Sequence, residues 1–323
     1  MIQEARNVRK NRRYTVSVAI PGSIVKNAQS AELRTYLVGQ IARACAIFEI
    51  DEVIVFSEDG RAFPGGEVGY FEGPRGNNWD PNLFLVRVLA YLECPQYLRK
   101  NFFPIHKDLQ FAGLLNPLDT PHHMGIDDWS LWREGVVLRH SGSKSVCAAG
   151  TRREAECDQR LQVGMRVTLK MADRPGEITS SGRLPAKVVP PTQPTHKAGL
   201  YWGYSTRLAS GISGVFRDCP WAEGYDLRLG CDAQGEDATG PRFELPPFQH
   251  ALLVVGGIGG LEVAMEGDEN LPAAASTGGK DIFDRRIRTC EGQGSRTVRT
   301  EEALLIALSA LRLPLETSGK HAD

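Results

Sequence analysis

The sequence has none of the usual marks of a membrane-spanning or secreted protein. Its apolar runs fall well short of the length that crosses a bilayer. Residues 1–13 are basic and lack the apolar stretch of a signal peptide. The cysteines are scattered and none belongs to a CxxC pair, which disfavours structural zinc and a disulfide framework. We therefore expect a protein of a reducing compartment (nuclear, nucleolar or cytoplasmic) that is not secreted and has no membrane partner.

An excess of charge of either sign is also missing. The net charge is −1 over 323 residues, so bulk charge predicts no nucleic-acid partner, and any such surface must be a local patch. The length allows one large core or two domains. Residues 1–13 are either a basic N-terminal arm or a solvated tail, and the sequence leaves both interpretations open.

The first hundred residues predict a βαβ unit. Residues 14–22 and 51–56 have the pattern of strands, the second of them buried on both faces. Between them, residues 30–48 carry apolar side chains at helical spacing behind Ser30, a candidate N-cap. Asp80-Pro81 then predicts the start of a further helix. This order favours an α/β fold with a mostly parallel sheet flanked by helices.

The middle of the chain differs in character from both ends. Residues 117–198 contain short strand-like pieces separated by Gly, Pro and charged residues, with little helical periodicity, which favours a small inserted β-barrel. The α/β pattern returns afterwards. We predict an α/β domain of residues 14–116 and 199–317, an OB-like insert of residues 117–198, and a tail of residues 318–323.

Two glycine-rich segments near the end of the chain resemble phosphate-binding loops but fail their tests. In VVGGIGGLE (254–262) the third glycine of a GxGxxG fingerprint is misplaced. The loop GQGSR (292–296) lacks the lysine of a P-loop. Glu301 and Glu302, in the first turn of a helix with Thr300 as candidate N-cap, would repel a phosphate. A tight turn and a capped helix after a flexible loop stay open as alternatives.

A metal site is weakly indicated. His122-His123 and Asp127-Asp128 offer possible ligands, but adjacent histidines cannot share one helical face. We interpret this segment as a polar loop and predict no metal.

Several segments, in chain order, carry a resemblance to a known family. GQIARACAIFEIDEVIVF (39–56), VVGGIGGLE and RTCEGQGSRTVRTEEALLIALSAL (288–311) resemble the three signatures of the SPOUT RNA methyltransferases. IPGSIVKNAQSAELRTYLVGQIARACAIF, DLQFAGLLNPLDTPHHM and KAGLYWGYSTRLAS narrow the resemblance to the eukaryotic SPOUT-domain subfamily with an inserted OB-like domain. The likeness covers nearly the whole chain beyond residue 13.

The resemblance implies a deep trefoil knot that binds S-adenosylmethionine, with S-adenosylhomocysteine as the product, and a homodimer that completes each active site. The implied cofactor-binding residues line two sides of the knot: Val255, Gly256, Gly257 and Gly259 on one side, and Arg288, Thr289, Cys290, Gly292, Gly294, Ser295, Thr297 and Val298 on the other. Arg288 departs from the Asn of the family pattern, which leaves a backbone contact there but puts a side-chain contact in doubt.

The implied catalytic residues are Arg43, Asn27 and Glu301. Arg43 occupies the position of the first-signature Arg, where it would stabilise developing negative charge or grip a phosphate; otherwise it is a helix-surface Arg packed over the core. Asn27 would orient Arg43 or form an Asx-turn. Glu301 would act as a base or cap its helix, and we favour capping.

RNA contact would depend on local basic patches. The candidates are Arg139, Lys144 and Lys170 of the insert, together with Arg207 and Arg296. Acidic residues interrupt the patch on the insert, so a solvated face is the alternative. Tyr201, Trp202 and Tyr204 could stack on bases, although we expect at least one of them in the core.

Together these observations predict an S-adenosylmethionine-dependent RNA methyltransferase. We expect it to act on a base nitrogen, of uridine or pseudouridine type, in ribosomal or other structured RNA. The alternative from another class is an RNA-binding or scaffold protein that keeps the cofactor-binding knot without methyl transfer. A remoter alternative is a nucleotide-binding protein, which the missing P-loop lysine argues against.

Overall fold

The computed structural model describes residues 12–60, 79–172, 176–271 and 282–320. Within them the chain forms two compact units. The sheet unit comprises Arg12–Leu92, Lys107–Pro117 and the chain from Tyr204 onward, and the barrel unit comprises Glu93–His106 and Leu118–Gly203. The domain limits predicted from the sequence stay predictions.

The strands are numbered along the chain. They are β1 (Thr15–Pro21), β2 (Glu52–Phe56), β3 (Trp132–Ser141), β4 (Lys144–Ala148), β5 (Ala155–Cys157), β6 (Arg166–Met171), β7 (Leu184–Val189), β8 (Ser205–Ala209), β9 (Leu227–Asp237), β10 (His250–Val255) and β11 (Arg285–Arg288).

The α-helices are numbered in the same way. They are α1 (Ala31–Ile47), α2 (Pro81–Glu93), α3 (Arg99–Phe102), α4 (Gln193–Ala198), α5 (Ile212–Arg217), α6 (Gly260–Glu266) and α7 (Thr300–Ser318), and single 3-10 turns cover Gly22–Asn27, Gln96–Leu98, Lys107–Leu109 and Ala112–Leu114. No described helix is both long and apolar enough to cross a bilayer.

The sheet unit is built on six parallel strands in the order β11-β9-β10-β1-β2-β8. The central strands are buried on both faces: β2 is buried throughout, and only Thr15 of β1 is half-buried. One face packs α5 and α6 through residues such as Ile212 and Leu261. The parallel α/β sheet expected from the βαβ pattern is confirmed.

Local capping signals decide where the first two helices begin. The Ser30 hydroxyl accepts a hydrogen bond from Leu33 N at 3.2 Å, and Asp80 Oδ1 accepts from Asn82 N at 2.8 Å. Both serine and aspartate satisfy backbone N–H groups that a helix start leaves unpaired. These two predicted N-caps are confirmed, although Leu33 itself is 53% exposed and does not join the core.

The cap of α7 differs from the prediction. The N-cap is Arg299, whose N–H donates to Glu302 Oε2 at 2.9 Å, so Glu302 and not Glu301 closes the first turn. Thr300 is the first helical residue, and its hydroxyl donates instead to the carbonyl of Gly256 at 2.9 Å. The Thr300 hydroxyl, which we predicted to cap the helix, therefore bonds to a residue distant in sequence instead.

The barrel unit contains a closed barrel in the order β3-β4-β5-β7-β6, which confirms the predicted insert. Five strands closed in this way are typical of OB-like barrels. Its core includes Val137, Leu169 and Ala186. Arg133 is also fully buried there, and its guanidinium donates to the carbonyls of Ala149, Asp128 and Gly125.

The two ends of the described chain join the sheet unit. Arg12, assigned by sequence to the basic arm, is buried and pairs with Asp51. Lys320, assigned to the tail, donates its N–H to the carbonyl of Phe248 at 2.9 Å. The rest of the arm lies outside the described residues. The trefoil knot stays a prediction, because the connection before β11 includes residues 272–281, which also lie outside them.

Candidate cofactor and RNA site

The carboxyl edge of the parallel sheet brings together the segments that the sequence singled out, and this edge is where open α/β sheets bind ligands. A tight glycine turn follows β10 there. The Gly257 carbonyl accepts from Gly260 N at 3.1 Å. A Cβ on Gly256 would lie only 2.6 Å from the Gly260 carbonyl carbon, and one on Gly259 only 2.4 Å from Val263. The turn is therefore tightly packed, with Gly256, Gly257 and Gly260 half-buried and Gly259 exposed.

The start of α7 is fastened to this glycine turn. The Thr300 hydroxyl donates to the Gly256 carbonyl, joining two segments that are 44 residues apart. Thr300 is buried, and the preceding β10 residue, Val255, is 3% exposed. The second and third family signatures thus meet at the end of β10.

The loop between β11 and α7 lies open beside this turn. Thr289, Cys290 and Val298 are half-buried, whereas residues 291–297 are exposed. The Ser295 hydroxyl donates to the Thr297 carbonyl at 2.8 Å. A Cβ at Gly292 or Gly294 would meet nothing within 4 Å. The loop is therefore open to solvent at these two glycines.

Arg288 is held at the foot of that loop. Its carbonyl accepts from Ala238 N at 2.9 Å, and its guanidinium lies 3.4 Å from Glu291. The side chain is therefore turned to a neighbour in its own loop. Its backbone carbonyl fixes the strand end, and the backbone contact with a cofactor that the resemblance implies for this position stays a prediction.

A carboxylate that the sequence analysis did not single out reaches the same turn. Glu58 follows β2, and one of its oxygens accepts a hydrogen bond from the Ser23 hydroxyl. Its other oxygen lies 2.7 Å from the position that a Cβ on Gly257 would take. The signal that could have found it is its position just beyond the carboxyl end of a buried strand.

Three other described acidic side chains of this region have partners. Asp268 accepts from the N–H and the hydroxyl of Ser213 at 2.8 and 2.9 Å. Glu262 pairs with Arg286 at 2.5 Å, and Glu302 caps α7. Glu301 is only 9% exposed, in the first turn of α7 beside Thr300.

The structure does not bring Asn27 and Arg43 together within one chain. Arg34, in the first turn of α1, donates to the Ala28 carbonyl at 3.4 Å, so the adjacent Asn27 lies beside that turn. Arg43 is nine residues further along, or roughly 13 Å at 1.5 Å per residue. Arg43 instead approaches the carbonyl of Pro117 at 3.4 Å.

Arg207 is the clear correction among the predicted RNA contacts. It is buried on β8 and donates to Glu52 Oε1 at 2.9 Å, and Tyr225 bonds both of these side chains. Burial disfavours its charge, but the adjacent Glu52 raises the pKa of Arg207 above its ordinary value. Since it ties β2, β8 and α5 together inside the sheet unit, we no longer assign it to an RNA surface.

The remaining predicted RNA contacts lie at the surface or near it. Arg139 and Lys144 are each about half exposed, but Glu154 and Glu156 on the same barrel pair with them at 2.5 and 2.9 Å. Lys170 lies on β6. Arg296 is exposed in the loop that joins β11 to α7, within the same unit as the glycine turn.

Side chains with other predicted roles are used internally. Tyr201, Trp202 and Tyr204 are all buried, and Trp202 donates to Glu134 at 2.6 Å, so none of the three offers a stacking face. His122 and His123 both lie against the Glu93 carbonyl, at 3.0 and 2.6 Å. Among the described residues, no group of three or more potential ligands could hold a metal ion.

The sequence is similar to a family of RNA methyltransferases over most of its length. Residues 15–311 match the family model described as "Putative RNA methyltransferase". The chain is 50% identical over 315 residues to the human 28S rRNA (uridine-N(3))-methyltransferase, covering 96% of this chain and 81% of that protein. The mouse protein of the same description is 49% identical over 98% of this chain and 81% of its own length. The Drosophila melanogaster protein is 42% identical over 94% of this chain and 62% of its own length.

Proposed function

The chain belongs to this RNA methyltransferase family, and we propose that it transfers the methyl group of S-adenosylmethionine to N3 of a uridine in ribosomal RNA. Human, mouse and fly relatives that resemble it over nearly its whole length carry that activity in their names. The observation that carries the proposal is the tight glycine turn after β10, fastened to α7 by the Thr300–Gly256 hydrogen bond.

The residues at this turn fit a cofactor recognised largely through the backbone. The cramped positions at Gly256, Gly257 and Gly259 form one wall with Val255, and the open loop from Arg288 through Thr289, Cys290 and Gly292 to Val298 forms the other. Gly294, Ser295 and Thr297 add flexible or hydroxylic positions to that loop. The bound cofactor supplies an activated methyl group, so the protein has to position the acceptor nitrogen and manage one proton.

The acceptor has to be gripped as well as activated. Arg296 is exposed beside the glycine turn, where a cationic side chain would meet an RNA phosphate. On the barrel unit, Arg139, Lys144 and Lys170 would provide separate RNA contacts, although RNA would compete there with Glu154 and Glu156.

A homodimer accounts for the position of Arg43. Helix α1 runs from the carboxyl edge of the sheet, where β1 ends, toward the amino edge, where β2 begins. Arg43 lies 12 residues beyond Ala31, roughly 18 Å along that helix, and so stands away from the glycine turn of its own chain. Arg43 would therefore act in the site of a second copy.

A stripe of exposed apolar side chains on α1 supports this arrangement. Leu33 and Tyr36 are each 53% exposed and Ile47 is 48% exposed, and with Gln40 and Arg43 they recur at the spacing of a helix–helix seam. A second copy on this stripe would cover the apolar side chains. Arg43, together with Asn27 near the start of the helix, would then lie beside the substrate bound to the second copy.

Methyl transfer tests the proposal directly. The protein would be incubated with tritiated S-adenosylmethionine and ribosomal RNA from cells that lack it, and the nucleosides analysed for 3-methyluridine. We expect label in that nucleoside, a large loss in Arg43→Ala, and near-normal transfer in Arg217→Ala, which removes an exposed arginine paired with Asp218.

Two results would overturn the proposal in different ways. Calorimetry that shows binding of ATP but not of S-adenosylmethionine would refute the cofactor assignment. Tight cofactor binding without any transfer to RNA would favour the scaffold alternative. Label in a nucleoside other than 3-methyluridine would keep the enzyme class and change the target atom. We place this activity in the nucleus or cytoplasm, where ribosomal RNA is found.

A further inference from the structure

We infer that Glu58 accepts the N3 proton of the target uracil during methyl transfer. The inference deepens the proposed function and rests on it. Glu58 stands just beyond the carboxyl end of β2, which is two strands away from β10 in the sheet, and one of its carboxylate oxygens lies against Gly257 of the glycine turn.

Two contacts involve the carboxylate of Glu58, and a third involves its backbone. The Ser23 hydroxyl donates to one oxygen. The backbone carbonyl of Glu58 lies so close to Gly267 that a Cβ there would be 2.1 Å from it, and the second carboxylate oxygen lies against Gly257. A side chain fixed in this way loses little conformational freedom when a substrate binds, which is the condition for efficient proton transfer.

The free oxygen of Glu58 faces the proposed cofactor turn from the flank that the substrate needs. The loop of residues 289–298 lies on the side of β9 and β11, and Glu58 lies on the side of β1 and β2. If the turn and that loop enclose the cofactor, the acceptor ring must approach from the opposite flank. Glu58 is the half-buried carboxylate on that flank, and no described residue donates a hydrogen bond to its oxygen beside Gly257.

The alternatives among the described carboxylates are less suitable. Asp268 and Glu262 are paired with Ser213 and Arg286, and Glu302 is used as a cap. Glu301, the base candidate from the sequence, points from the first turn of α7 with only 9% of its surface exposed. Glu58 combines a fixed position, partial exposure and a free acceptor oxygen.

Methyl transfer to N3 is accompanied by the loss of one proton from the uracil ring. The N3 lone pair forms a bond to the methyl carbon while the carbon–sulfur bond breaks and its electron pair stays on sulfur, giving S-adenosylhomocysteine. The N3–H proton, which becomes more acidic as the new bond forms, passes to the free oxygen of Glu58. The protonated carboxyl then releases it to water, and no other reactant is required.

Single-turnover kinetics with ribosomal RNA test this role. We expect Glu58→Gln to lower the rate of 3-methyluridine formation by roughly 10²- to 10⁴-fold, the usual contribution of a general base. Its dissociation constant for S-adenosylmethionine should stay within about threefold of wild type, because glutamine keeps the size and hydrogen-bonding ability of the side chain. Glu266→Gln, an exposed glutamate on α6, is the matched control and should stay within about twofold of wild type.

The pH profile separates a base from a merely structural side chain. Without the carboxylate, the reaction depends on the small fraction of uracil that is already ionised, so the rate of Glu58→Gln should rise about tenfold per pH unit from pH 7 upward. The wild-type rate should be flat over that range. Formate should also restore part of the rate to Glu58→Ala, and Ser23→Ala should lose less than Glu58→Gln because it removes only the orienting hydrogen bond.

The outcomes distinguish this inference from the proposed function. If wild type transfers no methyl group, both fail together. If wild type is active and Glu58→Gln transfers at a similar rate, only the role of Glu58 fails. If Glu58→Gln weakens cofactor binding by the same factor as it lowers the rate, the carboxylate holds the cofactor and the proton-acceptor role is refuted.

Discussion

Replacing Gly256 by alanine would place a methyl group where the structure has no room for it. The added carbon would lie 2.6 Å from the Gly260 carbonyl carbon, 2.8 Å from Leu261 N and 2.9 Å from Gly260 O. All three are backbone atoms, so no side-chain rotation relieves the contact. The turn must open, which strains the Gly260–Gly257 hydrogen bond and the Thr300–Gly256 hydrogen bond.

The cost of this change can be worked out from those contacts. Overpacking of this kind costs roughly 1–3 kcal/mol, and about 2 kcal/mol corresponds to a fall in Tm of roughly 4–8 °C for a unit of 150–250 residues. Displacing one backbone group that holds the cofactor should weaken binding by a further 1–2 kcal/mol, which is roughly fivefold to thirtyfold in the dissociation constant.

A matched glycine elsewhere in the site separates stability from binding. Gly294→Ala adds its methyl group to open space, with nothing within 4 Å. We expect no change in Tm and a weaker binding of S-adenosylmethionine, because that space is the proposed cofactor volume. Thermal unfolding and titration calorimetry measure the two quantities. If Gly256→Ala keeps wild-type Tm and affinity, the glycine turn is not the rigid cofactor wall inferred from its contacts.

Three further predictions concern the interior, the pH response and the assembly. Arg207→Met should lower the free energy of unfolding by about 3–5 kcal/mol in urea titrations, because it leaves Glu52 buried without its partner; an unchanged stability would contradict the assigned pair. Burial lowers the pKa of His123 from 6.5 to about 4, so the folded state stays neutral while the unfolded chain takes up a proton below pH 6.5. The free energy of unfolding should then fall by up to about 3 kcal/mol between pH 6.5 and 4. Urea titrations at several pH values should show that His123→Gln reduces this fall, whereas His140→Gln, at an exposed site, does not. Tyr36→Glu should shift light-scattering mass from dimer to monomer without loss of helix content, and a monomeric wild type would contradict the proposed α1 seam.

The parts of the fold that followed from sequence are those with local causes. Ser30 and Asp80 cap their helices through atoms two or three residues away, and β2 shows its burial in its own composition. The sequence pattern did not predict strand β9, because only its first half is apolar. The second half, which ends at Asp237, has the composition of a loop. The pairing partners that make it a strand lie on β10 and β11.

The misassignments at the site arose from distant partners. Arginine is usually a surface residue, so the sequence gives no sign that Arg207 is buried. Its partner Glu52, which lies 155 residues earlier, is brought beside it only by the fold. Thr300 has the pattern of an N-cap, but its hydroxyl is taken by Gly256. Glu58 is inconspicuous in the sequence because its significance comes from Ser23 and Gly257, which only the sheet brings close. Periodicity and capping rules contain no information on such contacts.

A carboxylate beside a cationic methyl donor can stabilise the reactant and thereby slow methyl transfer. Stabilising the positive charge of the bound reactant equally in ground and transition states would bring no acceleration, and stabilising it more in the ground state would slow the transfer. Glu58 avoids this outcome only if its interaction strengthens as the reaction proceeds. Proton transfer provides that gain, since the uracil N3–H becomes acidic as its nitrogen takes the methyl group. The Ser23 hydrogen bond to the other oxygen fixes the carboxylate for that moment.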